Sequence, residues 1–172
     1  SDEKYFIIST SDHITTEEYF FDSIRNEIKP KLFKKRKKDV RYSLDSWKSY
    51  FYVQTNEDAR DYKILRCKID DIENLEEFIP SKKETVIGGL DFLDDYIIRA
   101  EKSDAIPKLF VRNIQTNQEE EIKISNEPIG VPGAGLMQKD TNTSKIRISW
   151  ESMATPGKIF EYDIKTKDRC GW

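Results

Sequence analysis

At 172 residues, the chain is long enough to bury roughly 70% of its unfolded surface as one compact unit. Charged residues make up 35% of it, yet 9 Phe, 8 Tyr and 3 Trp argue for a packed fold over a disordered one. With 29 basic against 32 acidic side chains the net charge is −3, so no bulk field recruits nucleic acid or an anionic membrane surface.

An apolar run opens the chain at Tyr5-Phe6-Ile7-Ile8, and after a polar turn a second run closes on Phe21. The figure recurs from Tyr50-Phe51-Tyr52-Val53 to Ile69, from Tyr96-Ile97-Ile98 to Ile114, and from Ile146-Arg147-Ile148 to Ile164. The first runs start at Tyr5, Tyr50, Tyr96 and Ile146, at intervals of 45, 46 and 50 residues. Internal repeats of this length built on β-rich segments point to β-propeller blades, because the helical repeats of similar period need helices that this pattern lacks. Aromatic and β-branched residues bounded by Asp, Asn, Ser, Pro and Gly mark the runs as strands. In the last repeat Phe160, Tyr162 and Ile164 alternate with Glu161, Asp163 and Lys165, the period of a strand with one buried face. Tyr50-Phe51-Tyr52-Val53 is apolar on both faces, as a strand covered on two sides requires.

Two more strands are expected in each period. Asp39–Leu44, Thr85–Leu90 and Pro128–Val131 precede the later hairpins, while Lys31–Lys34, Glu76–Ile79 and Glu120–Ile124 follow the first three. Gly88-Gly89 in the first set fits either crowding of innermost strands near an axis or a β-bulge. Four strands per period predict an all-β chain: a partial β-propeller of four-stranded antiparallel blades, about four blade-equivalents, with approximate boundaries at 1–38, 39–83, 84–126 and 127–172. Counted from the ends, two complete blades are flanked by two incomplete ones, the last finishing near its third strand. Open edges on the outer blades invite self-association. The missing initiator Met and the abrupt Cys170-Gly171-Trp172 end suggest a piece of a longer protein.

Chemistry-bearing patterns are sparse. Nucleophilic catalysis needs a Ser or Cys, a His base and an acid that orients it, and no Gly-x-Ser-x-Gly elbow occurs. The lone histidine, His13, lies in Ser11-Asp12-His13, where three consecutive residues cannot aim at one reacting atom; a polar turn is the preferred reading. No catalytic residue is therefore assigned, and no cofactor-binding or metal-binding residue either. One His and two remote Cys give no zinc spacing, and Asp70-Asp71 and Asp94-Asp95 lack a glycine-centred calcium loop. Gly130-x-x-Gly133-x-Gly135 lacks the Lys-Ser/Thr ending of a phosphate loop, and a flexible turn is expected there. The basic run Lys31, Lys34, Lys35, Arg36, Lys37 and Lys38 is read as an exposed outer strand and its turn, where lysines discourage edge pairing. Against a nucleic-acid patch stand the overall acidity and the absence of a glycine-interleaved aromatic motif. Cys67, in phase with Leu65 and Ile69, is a small core residue, and Phe6, Tyr52 and Phe160 recur in phase as core packing. Two cysteines make no disulfide framework, so a reducing cytoplasm is the expected compartment. No apolar run approaches the roughly 20 residues of a membrane-spanning helix.

Lys35-Arg-Lys-Lys-Asp-Val-Arg-Tyr-Ser-Leu-Asp45, Tyr50-Phe-Tyr-Val-Gln-Thr-Asn56 and Tyr62-Lys-Ile-Leu-Arg66 carry a resemblance, continued by Glu76-Glu-Phe-Ile-Pro80 and Asp95-Tyr-Ile-Ile98. It is sharpest at Arg147-Ile-Ser-Trp-Glu-Ser-Met-Ala-Thr-Pro156 and Ile159-Phe-Glu-Tyr-Asp163. In one register along nearly the whole chain, it resembles the propeller of the oligopeptidase B (protease II) group in the prolyl oligopeptidase family of serine peptidases. It departs from that pattern at Asp61, where Asn is usual, at Leu75, where Trp is frequent, and at Lys102, where Arg is frequent. The resemblance implies the later blades of a seven-bladed propeller preceding a catalytic α/β-hydrolase domain that these residues do not contain. It also implies short peptides as substrates of the full enzyme, cleavage after Lys or Arg, no cofactor, and a propeller that admits extended peptides while excluding folded ones. Two alternatives stand beside it: a non-enzymatic interaction module and the remnant of a split gene.

Overall fold

A computed structural model describes residues 3–24, 29–123, 130–135 and 142–171. Its described residues form strands and no helix, in four antiparallel sheets. The sheets fall into two compact units, 1–83 and 84–172.

The first unit begins with a three-stranded sheet of β1 (Tyr5–Ser11), β2 (Thr16–Asp22) and β3 (Lys31–Leu32), in that spatial order. A four-stranded meander follows: β4 (Tyr42–Trp47), β5 (Tyr50–Thr55), β6 (Lys63–Lys68) and β7 (Asp71–Ile79). Tyr5 and Ile7 on β1 and Phe20 on β2 pack with Tyr42, Leu44, Phe51, Val53 and Cys67 of the second sheet. The Phe20 and Phe51 rings meet edge to face at 4.8 Å, and Tyr5 approaches Phe51 at 5.3 Å. Such T-shaped pairs add about 0.5–1.5 kcal/mol each beyond the area they bury. The expectation for β5 holds on both faces, since Phe51, Tyr52 and Val53 are all buried. Tyr52 packs on Phe78 at 5.3 Å, and the Arg66 guanidinium covers the Phe78 ring at 4.7 Å.

The second unit holds β8 (Thr85–Leu93), β9 (Tyr96–Ser103), β10 (Ile106–Asn113) and β11 (Glu119–Glu121), then β12 (Gly130–Gly135), β13 (Lys145–Ser152), β14 (Lys158–Asp163) and β15 (Arg169–Gly171). Its core joins Leu93, Ile98, Leu109 and Val111 of one sheet to Ile146, Ile148, Trp150 and Tyr162 of the other. The alternation read in the last repeat appears as drawn: Tyr162 and Ile164 are buried, Phe160 is half-buried against them, and Lys165 is exposed. Turn chemistry sets the register. Asp104 and Ala105, both left-handed with φ of 51° and 64°, make the two-residue link between β9 and β10, the twist that matches paired strands.

Several expectations shift. The fourth sheet has a fourth strand, β15, so among the described residues three sheets carry four strands and the first carries three; the three exposed residues of β15 gave no apolar signal. Gly130-x-x-Gly133-x-Gly135 is not a turn but strand β12, paired along its length with Gly135 opposite Arg147 and Gly130 opposite Ser152. Gly88 and Gly89 lie in a β-bulge, a register shift between Ile87 and Leu90. A Cβ on Gly88 would stand 2.8 Å from the Ala100 carbonyl oxygen, so close backbone approach accounts for that glycine. Phe6 is not core: it is 57% exposed and stacked on Phe21, because Tyr5 and Ile7 occupy the face of β1 that packs inward. Strand β4 starts at Tyr42, three residues beyond Asp39, and β7 starts at Asp71, earlier than the apolar signal at Phe78. Pro128, Ile129 and Ile124 lie outside the described residues.

Candidate functional site

The residues singled out for chemistry do not converge. His13 is exposed in the polar turn between β1 and β2. That turn is organised by Asp12, whose Oδ1 accepts the Ile14 and Thr15 backbone N–H groups at 2.9 and 2.7 Å. These bonds hold the Asp12 carboxyl below its usual range. Asp94 and Asp95 form the two-residue link between β8 and β9, and Asp70 the link between β6 and β7. Among the described residues, no group of three or more His, Cys, Asp or Glu side chains is placed to hold a metal ion. Cys67 is buried, and desolvation, with Asp71 nearby, pushes its thiol up to about 11. It is held as an unreactive core residue.

The basic run divides. Only Lys31 and Leu32 form strand β3, while Lys34 to Lys38 lie in the link to β4. Lys34 and Lys37 both meet Glu57 in the β5–β6 loop, and Arg36 pairs with Glu17 on β2 at 3.0 Å. Half of the run therefore ties the link to its own unit instead of projecting as a free cationic patch.

Two buried polar centres stand out that apolar patterning could not reveal. On β9, the fully buried Arg99 receives Glu101 at 2.6 Å and Glu119 of β11 at 2.6 Å, with its guanidinium 4.9 Å above the Phe110 ring. Burial works against the Arg99 charge, but the hydrogen bonds it donates to Glu119 and Glu101 outweigh it and leave its pKa above the ordinary value. In the first unit, Ser9 Oγ donates to Glu18 Oε2 at 2.7 Å, the Glu18 N–H donates to Tyr42 Oη at 2.9 Å, and Tyr42 donates onward to the Lys34 carbonyl at 2.7 Å. Glu18 is 2% exposed. Burial, reinforced by the nearby Asp45 and opposed by Ser9, raises its pKa. Both centres tie neighbouring strands together within a unit.

Each unit also carries an open groove lined by strand ends and turns. In the second unit a groove of about 690 Å³ is bordered by Tyr96, Asn113, Gln118, Glu120, Lys165 and Lys167. In the first, a groove of about 470 Å³ is bordered by Lys4, Tyr5, Lys48, Tyr50, Lys68 and Asp70.

Comparison with known proteins places this architecture. The family model described as prolyl oligopeptidase, N-terminal beta-propeller domain, matches residues 1–171. Protease 2 of Moraxella lacunata is 20% identical over 166 residues, 96% of this chain and 24% of that protein. Dipeptidyl aminopeptidase BI of Pseudoxanthomonas mexicana is 25% identical over 137 residues, 78% of this chain and 18% of the relative. Oligopeptidase B from Trypanosoma brucei, solved in a closed form with covalently bound antipain, has a TM-score of 0.89 at 20% identity, covering 99% of this chain and 26% of its own. Oligopeptidase B from Leishmania major has a TM-score of 0.87 at 17% identity, covering 99% and 25%. The likeness to these structures shows the fold: the all-strand chain is part of a β-propeller. It spans about a quarter of the length of Protease 2, and less of the dipeptidyl aminopeptidase.

Proposed function

Because the chain belongs to the prolyl oligopeptidase N-terminal β-propeller family, we propose that it forms the later blades of the substrate-gating domain of an oligopeptidase B-like serine endopeptidase. An α/β-hydrolase domain is the partner that supplies the nucleophile, base and acid, and short peptides cut after Lys or Arg are the substrates. The carrying observation is the family match over residues 1–171, joined to four successive antiparallel sheets. The gating role follows from stiffness. Sheets with cores as closely packed as Phe20, Phe51 and Val53, or Ile98, Ile148 and Trp150, do not deform to pass a folded protein, whereas an extended peptide strand needs only a narrow opening. No cofactor enters this chemistry, and nucleic acid and membrane have no part in it. A reducing, cytoplasmic setting completes the reading, supported by the two free thiols of Cys67 and Cys170.

The test uses the complete gene that encodes this chain. The expected result is a downstream Gly-x-Ser-x-Gly elbow and a full-length product that hydrolyses a short dibasic fluorogenic peptide, blocked by a serine-directed organophosphate. The same dibasic sequence inside a folded domain should resist cleavage. Absence of the elbow would favour the interaction module, an elbow in a separate frame would favour the split gene, and turnover by the isolated chain would sink the division of labour.

A second part of the reading concerns the isolated chain. Within its sheet β1 pairs only with β2, whereas β5, β9 and β13 each lie between two strands. Phe6 and Ile8 on β1 are 57% and 43% exposed. An unpaired edge with exposed apolar side chains favours strand addition, so we propose self-association through β1. Sedimentation at high concentration should show dimers or larger species that Ile8→Lys abolishes; a strictly monomeric parent would end this proposal.

A further inference from the structure

Two turns of the second unit are built to one pattern. Asn113-Ile114-Gln115-Thr116-Asn117-Gln118 leads from the end of β10 to β11, and Asp163-Ile164-Lys165-Thr166-Lys167-Asp168 from the end of β14 to β15. Asn113 Oδ1 accepts the Gln115 and Thr116 backbone N–H groups at 2.9 and 3.0 Å, and Asp163 Oδ1 accepts those of Lys165 and Thr166 at 2.8 and 3.3 Å. The Asn113 N–H donates to the Gln118 carbonyl at 2.8 Å, and the Asp163 N–H to the Asp168 carbonyl at 3.0 Å. Asn117 and Lys167 are left-handed, with φ of 57° and 62°. Short polar side chains that bond their own backbone fix such turns, so the residues they carry are held in place before a ligand arrives.

Both turns line the groove of about 690 Å³, a volume suited to a small ligand. Asn113 and Gln118 come from one turn and Ile164, Lys165 and Lys167 from the other, joined by Tyr96 at the start of β9 and Val111 on β10. The charges at the groove are already matched. Glu120 takes Lys167 at 2.6 Å, Lys165 lies 3.7 Å from Asp94, and Glu119 takes Arg99 at 2.6 Å. A charged ligand would compete with these pairs, whereas the unused hydrogen-bonding capacity is neutral. The Tyr96 hydroxyl, Asn113 Nδ2 and the Gln118 carboxamide have no hydrogen-bond partner among the described residues. A carboxamide presents a donor and an acceptor side by side, which match the C=O and N–H groups of a peptide main chain. Val111 and Ile164, both branched and aliphatic, form the apolar part of the lining and suit an aliphatic side chain. A sugar ring would need a flat aromatic face instead, and the Tyr96 ring is packed against the core of the unit.

We infer that this groove binds a short neutral peptide segment, with its main chain on Gln118, Asn113 and Tyr96 and an aliphatic side chain against Val111 and Ile164. Excluding folded proteins requires stiffness but no affinity for peptide, so this binding goes beyond the gating role. It concerns one unit of this chain and invokes no catalytic partner, so it stands or falls apart from the peptidase reading.

The test is an NMR titration of the whole ¹⁵N-labelled chain with acetyl-alanyl-leucyl-alaninamide, and separately with maltotriose. Saturable shifts are expected with the peptide at the amides of Asn113, Gln118, Ile164 and Lys165, and none at Ser9 or Glu18 of the first unit. Raising NaCl from low to physiological concentration should change the affinity by less than about twofold, because no net charge is involved. Gln118→Ala and Tyr96→Phe should each weaken binding about fivefold, the net scale of one hydrogen bond, while Tyr19→Phe in the first unit leaves it unchanged. Matching unfolding midpoints for the variants would establish that the fold persists. The inference is overturned by the absence of saturable shifts at millimolar peptide, by tighter binding of maltotriose, by a steep loss of affinity with salt, or by binding that Gln118→Ala and Tyr96→Phe both leave intact.

Discussion

Arg99 and Glu119, on strands that flank β10 from either side, meet through two hydrogen bonds: Nη1 to Oε2 at 2.6 Å and Nη2 to Oε1 at 2.8 Å. The same guanidinium gives Nε and Nη2 to Glu101 Oε1, at 2.8 and 2.6 Å, and lies over the Phe110 ring of the strand it spans. One side chain thus fastens three strands of the sheet. Its loss would take the guanidinium countercharge from Glu101, a carboxylate only 4% exposed. Breaking a buried pair on one side costs about 3–5 kcal/mol, whereas replacing both partners by apolar groups is often close to neutral. Arg99→Met should lower unfolding stability in urea by that amount, and Arg99→Met combined with Glu101→Leu should recover most of it. Equal losses in the single and double variants would show that packing on Phe110, not charge, carries the contribution.

Glu18 sets a pH dependence of the opposite kind from most carboxylates. Its folded pKa lies above the 4.5 of an unperturbed Glu, chiefly through burial and secondarily through Asp45 on β4, while Ser9 on β1 works the other way. Tyr42, also on β4, faces its backbone N–H. The folded state therefore holds the Glu18 proton more tightly than the unfolded state. The stability tied to that proton is complete below about pH 4.5 and is lost as pH rises through the folded pKa. Glu18→Gln keeps the shape and removes the titration. Its melting temperature relative to the parent should be higher at pH 7.5 than at pH 4; a pH-independent difference would contradict the assignment.

The bulge in β8 separates two adjacent glycines by mechanism. A Cβ on Gly88 would meet the Ala100 carbonyl oxygen at 2.8 Å, a backbone atom that cannot swing aside, while a Cβ on Gly89 meets nothing within 4 Å. Overpacking against fixed atoms costs about 1–3 kcal/mol. Gly88→Ala should destabilise by that much in thermal or urea unfolding, and Gly89→Ala should fall within about 0.5 kcal/mol of the parent, as surface changes generally do. A larger loss at Gly89 than at Gly88 would mean that the bulge is wrongly registered.

These features mark where the sequence was legible and where it was not. The four hairpins could be read because Tyr50-Phe51-Tyr52-Val53 and its counterparts combine strand-forming residues with polar turns, a local signal. Strand β15 could not, since Arg169, Cys170 and Gly171 are all exposed and bury nothing that would pattern them. Period alone shows that Tyr5 and Phe6 face opposite ways but not which face is covered, hence the exposed Phe6. Arg99 and Glu101 follow the apolar run Tyr96-Ile97-Ile98 in polar-looking sequence that gives no sign of burial, and Glu119, which pairs with Arg99, comes from β11. The groove of the first unit is equally non-local: the repeated Tyr5 and Tyr50 were visible as a pattern, but their meeting with Lys48 and Lys68 in one lining depends on strand pairing.

The two cysteines give a direct readout of the first unit's core. Cys67, opposite Phe51 in the ladder, is 2% exposed, and burial, with Asp71 nearby, pushes its thiol up to about 11; Cys170 on β15 is exposed. Because the thiolate is the reacting species, a buried thiol with a raised pKa reacts slowly at neutral pH even when a reagent can reach it. Titration of the native chain with an aromatic disulfide reagent at pH 7.5 should register one rapid thiol, and unfolding in guanidinium should release the second. Cys170→Ser should abolish the rapid phase and leave the slow one, whose rate then reports opening of the sheet around Phe51. Two rapid thiols in the native chain would mean that the core formed by Phe20, Phe51 and Cys67 is not closed in solution.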